Sequence, residues 1–108
     1  MLPEKPPVKL IMQWNIQYGR DQEYFEFVMS EWFPTMTRIG LRVLGAWFSI
    51  YVRDPSQPRI MAEAYAPDLP TMRNILRSKE WEQLHARLMD YVEDYRQKVV
   101  YVNGDFQF

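Results

Sequence analysis

A regular alternation of apolar and polar residues near the start of the chain constrains its fold most strongly. In the segment VKLIMQWNIQY, residues 8–18, the even positions are apolar or aromatic and most odd positions are polar. Successive side chains of a β-strand point to opposite faces, so this pattern predicts a strand with one buried face. The predicted buried positions are Val8, Leu10, Met12, Trp14, Ile16 and Tyr18.

A helix is predicted after this strand. Asp21 is suited to cap its start, and Gly40 is suited to end it. Pro34 should kink the last turns, because proline removes an intrahelical hydrogen bond. Large apolar residues recur at spacings of three and four, which predicts one face packed on a sheet. These residues are Tyr24, Phe25, Val28, Trp32, Met36 and Ile39.

Two extended patterns then follow with a turn-rich connector between them. The segment LRVLGAWFSIYV, residues 41–52, is apolar on both parities, and RIMAEAYA, residues 59–66, forms the next predicted strand. The connector contains RDPSQP, whose prolines and polar residues favour turns.

A second helical region and a last strand complete the pattern. Asp68 and Pro70 suit a helix start, and Ser78 caps a longer helix that is predicted to run to about Arg96. KVVYV, residues 98–102, is the fourth predicted strand. The order β-α-β-β-α-β predicts an α+β, ferredoxin-like fold: a four-stranded antiparallel sheet with helices on one face.

The predicted organisation is a single domain. Residues 1–7 are expected to form an N-terminal arm, residues 8–103 the ferredoxin-like domain, and residues 104–108 a C-terminal tail. The sheet face away from the helices would carry large side chains in such a domain. An uncovered face of this kind predicts a partner, and a second copy of the chain is the expected one.

The composition excludes several function classes. The chain has 13 Lys and Arg against 14 Asp and Glu, without a basic stripe, so neither nucleic acid nor membrane is an expected partner. It has no cysteine and 1 histidine, so no disulfide and no metal site is predicted. The segment MLPEKPPVK lacks the apolar core of a signal peptide, and a cytoplasmic location is expected.

Two residues are candidates for chemistry. His85 lies on the apolar stripe of the last predicted helix, where it is either a packed core residue or a proton acceptor. Glu63 lies in a strand that the topology places centrally, so it needs a partner or a proton. An ion pair with Arg42 or Arg59 is the structural alternative for Glu63.

The chain resembles the dimeric α+β barrel superfamily, and within it the NIPSNAP-like small proteins. The resemblance runs from about Leu10 to Val102. It depends on a glycine-aromatic second strand, with Gly45 and Trp47, and on an S-x-E-W entry to the last helix. It implies a homodimer whose sheets face each other, and a pocket between sheet and helices in each subunit.

This resemblance leaves the activity open. The first hypothesis is a small-molecule-binding or stress-related protein, whose pocket is lined by Trp14, Trp47, Tyr65 and Trp81. The alternative is a cofactor-independent monooxygenase, isomerase or cyclase acting on an aromatic or polyketide-like compound. A third is a purely structural interaction module, whose pocket would be filled by its own aromatic side chains. No cofactor is predicted, although haem with His85 as axial ligand stays open.

Overall fold

The structure is a computed structural model that describes residues 6–48 and 60–102, with the backbone alone at residues 45–48. The first strand, β1, is followed by a helical segment in three parts, two strands, two helices and a last strand. The elements are β1 (Val8–Ile16), α1 (Asp21–Phe27), a π-helical turn (Val28–Trp32), α2 (Phe33–Arg38), β2 (Arg42–Phe48), β3 (Ile60–Ala66), α3 (Leu69–Leu76), α4 (Lys79–Leu88) and β4 (Val92–Tyr101).

The four strands form one antiparallel sheet in the order β2-β3-β1-β4. The predicted α+β, ferredoxin-like architecture is confirmed. Even-numbered residues of β1 up to Trp14, and those of β3, are buried under the helices, whereas the odd-numbered residues of both strands are half-buried on the other side. We call that other side the open face; its residues include Lys9, Ile11, Gln13, Met61, Glu63, Tyr65, Arg96 and Lys98.

The core lies between the sheet and the helices. On β1 the buried residues are large, and on β3 they are mostly alanine, with Leu10 opposite Ala64 and Met12 opposite Ala62. This pairing of large with small residues fills the space without overpacking. None of the helices within the described ranges is long and apolar enough to cross a membrane.

The first helical segment differs from the prediction in three respects. Its N-cap is Arg20, and Asp21 is the first helical residue, with no side-chain capping bond. Phe25 is 51% exposed, so it does not share the face on the sheet. The turn before Pro34 widens to a π-helix, in which the N–H of Phe33 donates to the carbonyl of Val28. This wider turn accommodates a proline that has no N–H to donate.

The helix starts at α3 and α4 are confirmed. The Asp68 carboxylate accepts a hydrogen bond from the N–H of Thr71 at 2.8 Å. The Ser78 hydroxyl accepts one from the N–H of Trp81 at 3.2 Å. Each cap satisfies one of the backbone donors that a helix leaves unpaired at its first turn.

The prediction that the last helix runs to about Arg96 is wrong. Helix α4 ends at Leu88, and β4 begins at Val92. The side-chain amide of Gln17 donates to the carbonyls of Met89 and Val92, at 3.3 and 3.0 Å. Gln17 thus satisfies carbonyl groups in the turn that follows the helix, a contact from a distant part of the chain.

A β-bulge explains why this strand has a helical pattern in the sequence. The pairing of β1 with β4 shifts register between Gln13 and Asn15, which leaves one extra residue on β4. Asp94 lies in this bulge with a φ of 56°. Because the extra residue reverses the alternation, Val92 and Tyr95 both pack against the core although they are three positions apart. That spacing is typical of a helix.

Candidate functional site

His85 lies on α4 between two aromatic rings. Its ring stacks on Trp81 at a centroid distance of 5.6 Å and meets the edge of Tyr95 at 4.5 Å. Within the described residues, its Nδ1 is buried and has no hydrogen-bond partner. Burial lowers the pKa of His85 below its usual value, because the charged ring would lose solvation. The histidine is therefore held neutral near pH 7.

The space beside Trp14 is filled by the protein's own side chains. Trp14 is 1% exposed, and its Nε1 donates to the hydroxyl of Tyr24 at 2.9 Å. Its ring stacks on Tyr95 at 5.8 Å and meets Trp32 edge-on at 5.8 Å. Trp14 is thus a packed core residue in this structure, and its ring does not line an open cavity.

Of the four aromatic residues predicted to line one pocket, Tyr65 does not lie with Trp14 and Trp81. Trp81 is buried at the helix layer with Trp14, whereas Tyr65 lies on the open face, on the opposite side of the sheet. The side chain of Trp47 lies outside the described residues. The reason is the parity of β3: its alanines fill the core side, which turns Tyr65 outward.

Glu63 and His85 also lie on opposite sides of the sheet. The Glu63 carboxylate faces the open side, where Lys9 Nζ lies 3.5 Å away and the Tyr65 hydroxyl donates at 3.4 Å. The expected ion partner was Arg42 or Arg59. The observed partner is Lys9, from the adjacent strand β1, and Arg59 lies outside the described residues. His85 and Glu63 therefore do not act on one substrate within a subunit.

The open face contains a hollow of about 350 Å³. Two rows of residues across β4, β1 and β3 form its floor: Lys98, Ile11 and Glu63 in one row, and Arg96, Gln13 and Met61 in the next. The floor therefore mixes apolar and polar side chains: Ile11 and Gln13 lie at its centre on β1, and the two cations lie along its β4 side. Sequence reasoning missed both cations: Arg96 was predicted to end the last helix, and Lys98, in the fourth predicted strand, was not assigned to a face.

A shallower hollow of about 170 Å³ lies on the helix layer. Two ion pairs cross it from α2 and the π-helical turn to α4: Arg38 with Glu80 at 3.5 Å, and Arg87 with Glu31. Its charges are balanced by these pairs, and the four side chains are 40% to 64% exposed, so each pair adds little stability.

The described residues contain no cluster suited to a metal, and one ring nitrogen of His85 is closed to a haem iron. Across residues 6–48 and 60–102, no group of three or more His, Cys, Asp or Glu side chains converges. The Nδ1 of His85 has no accessible surface, so that nitrogen is not placed to bind a haem iron.

Comparison with known proteins gives the fold. No family model and no curated protein matches the sequence. Among solved structures, a NIPSNAP family protein from Agrobacterium tumefaciens is 15% identical, with a TM-score of 0.72, over 98% of this chain and 93% of that one. An ethyl tert-butyl ether D (EthD) family protein from Bacillus halodurans is 20% identical, with a TM-score of 0.70, over 90% and 99%.

A Dabb family protein with a ferredoxin-like fold, from Mesorhizobium loti, is 8% identical, with a TM-score of 0.73, over 93% of this chain and 100% of that one. At these identities the likeness extends to the fold and carries no activity across. The resemblance to NIPSNAP-like proteins is confirmed at that level: the chain has the ferredoxin-like α+β fold of the NIPSNAP and Dabb family structures.

Proposed function

We propose that this protein is a homodimer that binds a small molecule between the open faces of its two subunits. The observation that carries this proposal is the hollow of about 350 Å³ on the open face, whose floor combines apolar and polar side chains. A volume of that size is within the range of small-molecule sites, which are commonly apolar with a few placed polar groups.

The one-sided sheet supports the dimer. Four strands of 7 to 10 residues give an open face on the order of 500 Å² per copy, from the usual strand spacing and rise. Two facing copies would bury on the order of 1,000 Å², near the lower limit for specific interfaces. The face includes Ile11, Met61 and Tyr65, whose apolar surface gains from being covered.

The residues that line the hollow favour the binding of a ligand there, in addition to contact with a second copy of the chain. Polar side chains such as Gln13 and Glu63 stand beside the apolar Ile11 and Met61 in the same concavity. Buried polar groups need partners, and a small molecule with both apolar and polar parts would supply them. A ligand site on the core side of the sheet is less well supported, because aromatic side chains fill the space beside Trp14.

A matched pair of variants tests the dimer. Met61→Lys places a charge on the open face, and Met29→Lys places the same charge at a site on the helix layer that is 69% exposed. Light scattering at low micromolar concentration should give a dimer for the wild type and for Met29→Lys, and a folded monomer for Met61→Lys. A well-folded wild-type monomer under these conditions would overturn the proposal.

A second candidate function is proton transfer by His85 in a cofactor-independent monooxygenase, isomerase or cyclase. Burial lowers the pKa of His85, so the ring is neutral and able to accept a proton near pH 7, which favours this function. Thermal-shift screening of aromatic and polyketide-like compounds and of haem would first identify a ligand. His85→Gln should then fold normally but lose turnover and its pH dependence near neutrality. Equal activity and an equal pH profile in both proteins would exclude this function for that ligand.

A further inference from the structure

We propose that the hollow on the open face recognises a small organic carboxylate, and that Arg96 and Lys98 bind its charged end. This inference rests on the proposed function, because the facing sheet of a second copy would close the hollow. It adds the chemical class of the ligand and the residues that select it.

The position of the two cations comes from the sheet register. Lys98 pairs with Ile11 and Arg96 with Gln13, so both side chains project on the open face and line the hollow. Residues two apart on a strand are separated by about 7 Å. Two long flexible side chains at that separation can converge on one carboxylate, and arginine can bind it through two parallel hydrogen bonds.

The charges around the hollow are not balanced. Within residues 6–48 and 60–102, neither Arg96 nor Lys98 forms an ion pair. Glu63, the carboxylate in the hollow, already has Lys9 at 3.5 Å. Covering two cations with a second sheet would be costly unless negative charge entered with them. An anionic ligand supplies that charge.

The two nearest carboxylates on β4 do not supply the negative charge that Arg96 and Lys98 need. Glu93 and Asp94 lie on the far side of the β-bulge from Arg96, and Glu93 pairs with Asn15, beyond the hollow. The Asp94 carboxylate lies 3.4 Å from the side-chain amide of Asn15, which donates to it. These groups therefore lie outside the set of residues that line the hollow.

The floor of the hollow selects the rest of the ligand. Ile11 presents apolar surface between Lys98 and Glu63, and Met61 adds apolar surface on β3 beside Glu63. Gln13, between Arg96 and Met61, has an amide that can donate or accept. An inorganic anion would leave this apolar surface uncovered. A carboxylate attached to an aromatic or aliphatic body would cover it, so the ligand class is a small amphipathic carboxylic acid.

Calorimetric titration with 2-naphthoate tests this inference, with 2-naphthamide as a probe of the same shape without the charge, and with inorganic phosphate as an anion without the apolar body. The wild type should bind 2-naphthoate at least about tenfold more tightly than either control. Arg96→Gln and Lys98→Gln should each weaken 2-naphthoate about tenfold and leave 2-naphthamide unchanged. Arg73→Gln makes the same charge change on α3 and should leave every affinity unchanged.

The outcomes separate this inference from the proposed function, because light scattering is run on the same samples. A dimer that binds 2-naphthoate no better than 2-naphthamide, or that is insensitive to both substitutions, overturns the carboxylate site and leaves the dimer standing. Equal weakening by Arg73→Gln also overturns it, since the effect would then be one of overall charge. A wild-type monomer overturns the proposed function, and its titration decides the carboxylate site by the same criteria.

Discussion

Removing the hydroxyl of Tyr24 should destabilise the protein although it deletes a single atom. Trp14 Nε1 donates to this hydroxyl at 2.9 Å, and the two residues are 1% and 3% exposed. Tyr24→Phe leaves the indole N–H buried without an acceptor. An unsatisfied buried donor costs about 1–3 kcal/mol, which is the expected loss in the free energy of unfolding. Tyr18→Phe is the matched control, because Tyr18 is fully exposed.

Urea unfolding monitored by circular dichroism, at equal protein concentration, measures the effect. Tyr24→Phe should lower the midpoint with an unchanged m-value, whereas Tyr18→Phe should stay within about 0.5 kcal/mol of the wild type. If Tyr24→Phe is as stable as Tyr18→Phe, the indole N–H has another partner or reaches water. The reasoning about this core hydrogen bond would then be refuted.

Comparison of the wild type with Tyr24→Phe at high pH gives a second test of this hydrogen bond. Burial raises the pKa of Tyr24 from 10.0 to about 12, and the hydrogen bond from Trp14 opposes part of that rise. The folded state therefore keeps its proton while the unfolded chain loses it. The stability contributed is fully present below pH 10.0 and is lost as the pH rises to about 12. Because phenylalanine does not titrate, the stability difference between wild type and Tyr24→Phe should narrow over this interval.

Three further expectations concern the helix and the bulge. Trp81→Ala should cost about 3–5 kcal/mol by denaturant unfolding, because Trp81 is a buried residue that seats α4, and an unchanged melting temperature would place its ring outside the core. The free energy of unfolding of the wild type should fall as the pH drops from the usual histidine pKa of 6.5 through the lowered pKa of His85. His85→Gln has no titrating ring at this position, so its urea midpoints should lack this contribution to the decline. Asp94→Val should cost about 1–2 kcal/mol, because a β-branched residue is strained at a φ of 56°, whereas Glu93→Val, one residue earlier on β4, should change the urea midpoint little.

The order of the elements was predictable because its signals are local. The alternation in residues 8–16 follows directly from the two-residue period of a strand, whereas Tyr18, also predicted to be buried, lies beyond the strand and is fully exposed. Asp68 and Ser78 cap the helices that follow them. Gly40, with a φ of 103°, ends α2 where glycine tolerates a left-handed backbone. Each of these signals acts over a few residues, so the sequence alone determined the β-α-β-β-α-β order and the fold class.

The end of α4 was decided by tertiary contacts. Val92 and Tyr95 are spaced as on a helix, but their segment pairs with β1, and Asp94 bulges between them. The carbonyls that follow α4 are satisfied by Gln17, which is distant in sequence. Local periodicity cannot separate a helical face from a bulged strand when both place the same residues inward.

The candidate site was also decided by tertiary structure. The sequence drew attention to His85 and Glu63, but the parity of β3 places them on opposite sides of the sheet. Because the core residues of β1 are large, most core positions of β3 have room only for alanine. With these alanines facing the core, Glu63 faces outward beside Lys9. Which residues face each other across three strands depends on register, and register depends on long-range pairing that no short stretch of sequence specifies.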